Sequence, residues 1–495
     1  MAWAAAVAVS GCASGPFSAH LESSAAQVRE CAQWYQALDE QIDAAGVRDA
    51  QHSRIAGFPY LRVDRPLASL RSRAAASEGA LHAYADRMLE LDIESRRHEI
   101  ANLPRSRFEA LPDLYAGVTR AQSLRRTREC GRLLRDIDLA RPQARGELLA
   151  AARVPDDYST AHRIIGLYWL TRVAFAAGVR RWESGTLARF HSDAQTNPNR
   201  VRYAPPAGPV LARSTIAGLL SRAQFDPLGQ PQLNERELGL LAAAYAPSFD
   251  ISITGDHDRF GELRWRREAA VPQVNAAEPA VYVHSAYTRY GERVLLQLVY
   301  TMWFSERPAR GAADLLAGQL DGIVWRVTLA PDGDPLLYDS IHPCGCFHMF
   351  FPTPRARPRP PPQPLEEWAF VPQHLPGIAE DERPVLSIAS GTHYLERVGV
   401  VRGSDSVVRY VFHSYDALRS IPDMQGGNRS AFGPDGLIGG SERLERFLFW
   451  PMGIASAGAM RQWGRQATAF VGRRHFDDAD LIERRFELDL AERAR

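Results

Sequence analysis

PAVYVHSAYTRYGERVLLQLVYTMWF, from Pro279 to Phe304, is rich in β-branched and aromatic residues and is interrupted once, at Tyr290-Gly291-Glu292-Arg293. Such residues suit a pleated surface, and a glycine between two runs of them supplies the backbone conformation of a tight reversal. An antiparallel hairpin is therefore expected. The pattern continues in GIVWRVTLAPDGDPLLYDSI, Gly322 to Ile341, with a second turn signal at Pro331-Asp332-Gly333-Asp334. FDISITG, RPVLSIASGTHYLERVGVV and SVVRYVFHSY add further strand candidates. Between them, TPRARPRPPPQP (353–364) is expected to be an extended, solvated loop outside any sheet, because proline offers no N–H to a ladder.

Upstream the apolar period is helical. In VRECAQWYQALDEQIDAAG, Val28, Cys31, Tyr35, Leu38 and Ile42 recur at steps of three and four, and Gly46 follows as a stop. LHAYADRMLELDIESRRHEI continues this style, and Leu124, Cys130, Leu134 and Ile137 fall near one helical face. Residues 192–212 read as loop. STIAGLLSRAQ and NERELGLLAAAYA then read as helices, the second capped by Asn234 with Glu237 three residues on. The expected fold is α+β: a signal-like segment at 1–11, a helical domain at 12–190, connecting helices at 191–247, and a mixed domain around an antiparallel sheet at 248–495.

The 495 residues hold 45% hydrophobic and 24% charged side chains with a net charge of +1, a soluble globular balance that does not point to nucleic acid. Every one of the 59 basic residues is arginine. Without lysine there is no phosphate-loop lysine, no pyridoxal Schiff base and no Ser-Lys dyad. H-E-x-x-H, G-x-S-x-G and G-x-G-x-x-G are also absent, so no nucleotide or pyridoxal cofactor is supported.

MAWAAAVAVSGCASG begins the chain, and Val9-Ser10-Gly11-Cys12 resembles the lipobox of bacterial lipoproteins, although no basic residue precedes the apolar run. The resemblance implies lipidation at Cys12 and a membrane anchor. Ala13, in place of Asp, implies an outer-membrane lipoprotein facing the periplasm. Farther on, IIGLYWLTRVAFAAGV (Ile164 to Val179) is interrupted by Arg172 and reads as a buried core helix, with a membrane-surface helix as the alternative.

HPCGCFH places His342, Cys344, Cys346 and His348 at alternate positions. On a straight strand these would lie about 7 Å apart on each face, too far for one ion, but Pro343 and Gly345 permit a turn. The set reads as part of a metal site, completed by His284, His393 or His413, with Glu396 or Asp416 as general base. Mixed nitrogen and sulfur ligands would suit zinc. Asp256, His257 and Asp258 could add hard ligands or acid-base groups. A redox pairing of Cys344 with Cys346 competes, and Cys31 with Cys130 offers a separate disulfide. Arg461, Arg465, Arg473, Arg474 and His475 could receive an anion or neutralise Asp477 and Asp478. Three functions stay open: a metal-dependent hydrolase, a non-catalytic lipoprotein that binds a ligand or protein, and a thiol-disulfide protein.

Overall fold

The computed structural model describes residues 16–112, 118–192, 199–208, 210–267, 269–311, 313–403 and 407–491. Cys12, the expected lipidation site, lies outside the described residues.

Three long helices, α1 (Ala26–Ala45), α2 (Glu78–Asn102) and α3 (Arg120–Leu139), build the N-terminal unit. The predicted stripe on α1 is buried throughout, from Val28 to Ile42. It packs with Tyr84, Met88 and Leu89 of α2 and Leu134 of α3. Cys31 and Cys130 join α1 to α3 as a disulfide. A short hairpin, Ser53–Ile55 with Phe58–Val63, interrupts the helical reading and buries Phe58, Tyr60 and Leu61 in the same core. Apart from Leu228 and, at its edge, Val294, that core is drawn from residues up to Ala152, with Val154 at its fringe. The next long helix, α4 (Tyr168–His191), packs on the C-terminal core through Trp182 and Phe190.

The predicted hairpins form most of a six-stranded sheet. β1 (Ala280–Tyr290), β2 (Arg293–Arg307), β3 (Gly318–Leu329), β4 (Pro335–Ile341) and β5 (Met349–Pro352) pair antiparallel in succession, while β6 (Val411–Ser414) adds in parallel to β1. Tyr290 pairs with Arg293 across the Gly291 turn. The period of two sorts β2 cleanly: Leu296, Leu298, Tyr300, Met302 and Phe304 enter one core, and Leu295, Val299 and Trp303 enter others. Both faces are thus covered, which explains why β2 is apolar almost throughout.

A second sheet orders the strands 395–402, 382–388, 248–252, 200–204 and 408–409, and Phe249, Ile251, Leu386 and Ile388 meet the even face of β2 in a common core. The expected helix capped by Asn234 forms over Glu235–Tyr245 with its full capping box.

Three expectations change. Residues 192–212 contain a strand, Arg200–Ala204, held by Ser248–Ser252. In the Pro/Arg stretch, Ala356–Pro358 pairs with Phe486–Leu488; only Pro358 of the three lacks an N–H, so a short ladder closes. Most of the apolar side chains in 164–173 are exposed, not core: Trp169 is 68% exposed and Leu170 55%. No helix among the described residues is long and apolar enough to cross a membrane.

The two units meet through buried charge. Arg419 donates from Nη2 to Asp49 Oδ2 at 2.8 Å and from Nε to Oδ1 at 3.1 Å, and also reaches Glu94 and Asp416. Gln462 Nε2 donates to Asp49 at 2.8 Å. Arg65 donates to Asp157 at 2.8 Å and to Asp477 at 3.1 Å. The planar fork of arginine suits such carboxylate pairs where lysine would not.

Candidate functional site

After β4 the chain turns back at once. His342 N–H donates to Cys346 O at 3.0 Å and Gly345 N–H to His342 O at 2.8 Å. Gly345 has φ +91°, and a Cβ there would stand 2.4 Å from Ala467 O, so only glycine lets the two backbones approach this closely. The turn brings the Cys346 backbone to the Cys344 thiol. Both thiols are free, and Cys346 N–H donates to Cys344 Sγ at 3.4 Å. Hydrogen bonding to the Cys344 thiol, then burial, holds Cys346 well above the ordinary thiol range, so it is protonated at neutral pH. Phe347 follows with φ +62°, a left-handed conformation costly for a non-glycine residue, and its ring meets Tyr394 at 4.8 Å.

Cys344, Cys346 and His348 lie on the wall of a cavity of about 450 Å³. Its remaining walls are mainly apolar, with Phe175, Trp182, Phe347, Phe370, Phe449 and Phe470 supplying rings. α4 forms one side through Phe175, Gly178, Val179 and Trp182. Polar groups are few. Arg474 is held by Thr468 and by Trp368 O at 2.7 Å. Glu367 accepts from the N–H groups of Phe470 and Val471 at 2.7 and 2.9 Å, and burial raises its pKa. Glu183 is likewise raised by burial.

Glu445 differs from these. It is 4% exposed and lines the cavity, yet no hydrogen bond or ion pair reaches its carboxylate among the described residues. Burial pushes it up to about 7, against the pull of Arg443 and Arg307. A Cβ on Gly458 would stand 2.1 Å from Glu445 Oε1, so this glycine makes room for the acid.

Behind the turn lies a buried ionic chain. His342 Nδ1 donates to Asp321 Oδ1 at 3.0 Å, and His393 Nδ1 donates to Asp321 Oδ2 at 2.9 Å. His393 Nε2 donates to His257 O at 3.1 Å and lies 3.5 Å from Asp258. With an acceptor on each ring nitrogen, His393 is held as the imidazolium; burial opposes this, but Asp258 and Asp321 raise its pKa. Burial would raise Asp321, and the two imidazoles hold it well below the usual carboxylate range instead. Asp258, tied also to Thr254, Ser390 and Gly391, acts through this chain, while Asp256 is fully exposed.

The expected constellation is thus divided. His342 and His393 share Asp321. His348 lies at the cavity but donates Nε2 to Asp339 at 2.9 Å, and burial lowers its pKa to about 3. His284 lies elsewhere, between the rings of Tyr415 and Trp463 at 4.7 and 4.4 Å, with both nitrogens unpartnered and its pKa lowered to about 3 by burial. His413 is half-buried beside Tyr282 and 3.9 Å from Glu262. Neither proposed base faces the cavity: Asp416 pairs with Arg419 and Arg97, and Glu396 is half-buried on the strand Leu395–Arg402. The turn leaves His342 paired with Asp321, and His348, just before β5, paired with Asp339. Among the described residues no three or more His, Cys, Asp or Glu side chains are grouped to hold a metal ion. The arginine cluster is neutralised: Arg465 donates to Asp157 and Arg473 to Asp156, and His475 sits 3.4 Å from Asp156 and Asp478, while Arg461 donates to the Ala455 and Ser456 carbonyls.

Sequence reasoning missed Glu445 and Asp321. Asp321 carried a signal, as a lone carboxylate opening the apolar strand run GQLDGIVW. No protein-family model, no curated protein and no solved structure matches this chain.

Proposed function

We propose that the chain is a periplasm-facing envelope lipoprotein, anchored through Cys12, whose cavity binds an apolar or amphiphilic small molecule. The observation that carries this reading is the cavity itself. Its volume of about 450 Å³ and its aromatic walls with few polar groups are those of a ligand site. Gly178 gives a direct test, because it lies at the cavity on α4 and a Cβ there meets nothing within 4 Å. Gly178→Phe places a ring in that space and removes a poor helix former. The variant is expected to bind the apolar dye N-phenyl-1-naphthylamine at least about tenfold more weakly in fluorescence titration, with its melting temperature unchanged or higher. Dye binding equal to that of the parent would reject the cavity as the site.

Catalysis, with or without zinc at the thiol turn, is the second reading, and Glu445 is the observation that favours it. A carboxylic acid near pKa 7, facing a cavity beside Cys346, has the protonation behaviour of a general acid-base group. The raised value also has a thermodynamic signature. Below the ordinary Glu value of 4.5, folded and unfolded chains both hold the proton. Between 4.5 and about 7 the unfolded chain releases it first, so stability falls as pH rises. The accumulated loss is about 3 kcal/mol at pH 8. Glu445→Gln, which resembles the protonated acid, is expected to match the parent near pH 4.5 and to exceed it by an amount of that order at pH 8. Urea unfolding across this range measures the difference, and a pH-independent difference would show that Glu445 ionises normally.

A further inference from the structure

Apolar side chains are exposed on two adjoining elements beside the cavity mouth. On one, Ile164, Ile165, Trp169, Leu170 and Val173 face outward from the helix Thr160–Ile165 and the start of α4. On the other, the helix Arg446–Phe449 and the turn Trp450–Met452, Phe447 is 62% exposed, and Leu448 and Trp450 are exposed beside it. The two are packed together. The His162 and Trp450 rings lie 6.1 Å apart and those of Phe175 and Phe449 5.4 Å apart, and a Cβ on Gly166 would stand 2.5 Å from Pro451. They make one surface, and contiguous exposed apolar side chains of this kind mark interaction sites.

Its charge points to the occupant. From Tyr158 to Trp182 there is no Asp or Glu, and the charged residues are Arg163, Arg172, Arg180 and Arg181. Arg180 and Arg181 are exposed and make no ion pair within 4 Å among the described residues. Apolar side chains with two tryptophans, followed along the helix by the exposed Arg180 and Arg181, with Glu183 beside Arg180, suit the boundary between acyl chains and anionic headgroups. Phe175 and Phe449 belong both to the base of this surface and to the cavity wall, so the surface and the cavity adjoin.

We infer that this surface lies in the interfacial layer of an anionic phospholipid bilayer and that the cavity opens toward it, so that the ligand is drawn from the membrane. The part concerning the ligand rests on the binding function proposed above; the membrane contact stands on the surface alone. The full chain carrying Cys12→Ser, which cannot be acylated, is mixed with vesicles of phosphatidylethanolamine and phosphatidylglycerol, and separately with phosphatidylcholine vesicles. Cosedimentation is expected with the anionic vesicles, at least tenfold stronger than with the neutral ones. The added substitutions Trp169→Ser, Leu170→Ser, Phe447→Ser and Leu448→Ser, all at exposed positions, should weaken it at least tenfold with circular dichroism unchanged. Gly178→Phe, which fills the cavity, should sediment as the parent does. Equal sedimentation of parent and fourfold variant, or no sedimentation of the parent, would overturn the inference. So would a dimer in vesicle-free buffer that the fourfold variant abolishes, since that assigns the face to a second copy. Loss of dye binding in Gly178→Phe with vesicle binding intact separates the cavity from the membrane contact.

Discussion

Arg419→Met is expected to destabilise the folded protein by about 3–5 kcal/mol, the cost of removing one partner from a buried ion pair. Arg419 is 1% exposed, and its guanidinium is shared by Asp49, Glu94 and Asp416. Methionine fills much the same volume but leaves the Asp49 carboxylate with hydrogen bonds from Gln462 and Ser95 and the more distant charge of Arg62. Burial would raise the Asp49 carboxyl, and Arg419 holds it far below the usual carboxylate range. A depressed value means that its contribution is present above the unfolded pKa, near 3.8, and is lost as pH falls toward the folded one. The difference between Arg419→Met and the parent should therefore be full at pH 7 and shrink below pH 4. Urea unfolding midpoints at pH 7 and pH 3.5 measure it. The double variant Asp49→Asn, Arg419→Met should lose less than Arg419→Met alone, because no charge is stranded. A single-variant cost under 1 kcal/mol at pH 7 would show that water reaches the pair.

The second large effect is expected at the disulfide. Cys31 and Cys130 are separated by 99 residues, and closing a loop of that length in the unfolded chain corresponds to about 4.7 kcal/mol in the chain-entropy treatment. Both half-cystines are buried between α1 and α3, so the double variant Cys31→Ala, Cys130→Ala also loses sulfur from the packed interior. A loss of about 4–5 kcal/mol is expected, read as a lower urea midpoint, and dithiothreitol should lower the parent's midpoint but leave the variant's unchanged. Coincident curves for oxidised parent and variant would mean that the bond does not form in the isolated protein.

The pairing of Cys31 with Cys130 was readable because each residue sits on an apolar helical stripe, and a local pattern was enough to place both in one core. The sheet was readable for a similar reason: the turn at Gly291 and the runs on either side set the register of β1 against β2 without help from distant chain. Legibility ended where partners are remote. Ala356 meets Leu488, a contact no period in TPRARPRPPPQP can announce. His342, Asp321, His393 and Asp258 come from four separate segments, so the sequence offered the histidines but not the carboxylates that bind them. Residues 164–173 are exposed where a core helix was expected, because an apolar run has the same period whether or not other parts of the chain cover it.

The joint between the units also imposes an order on biosynthesis. Asp49 waits for Arg419, 370 residues downstream, and Arg65 waits for Asp477, 412 residues downstream. At ribosomal rates of about 5–20 residues per second, Arg419 emerges roughly 20–75 s after Asp49. Over that interval the helical unit holds Asp49 without its direct guanidinium partner, on a surface that is buried in the finished protein. Nascent chains halted before residue 419 should accordingly retain this surface open to protease and chaperone, and chains extended past 477 should lose that sensitivity, since every partner is then present.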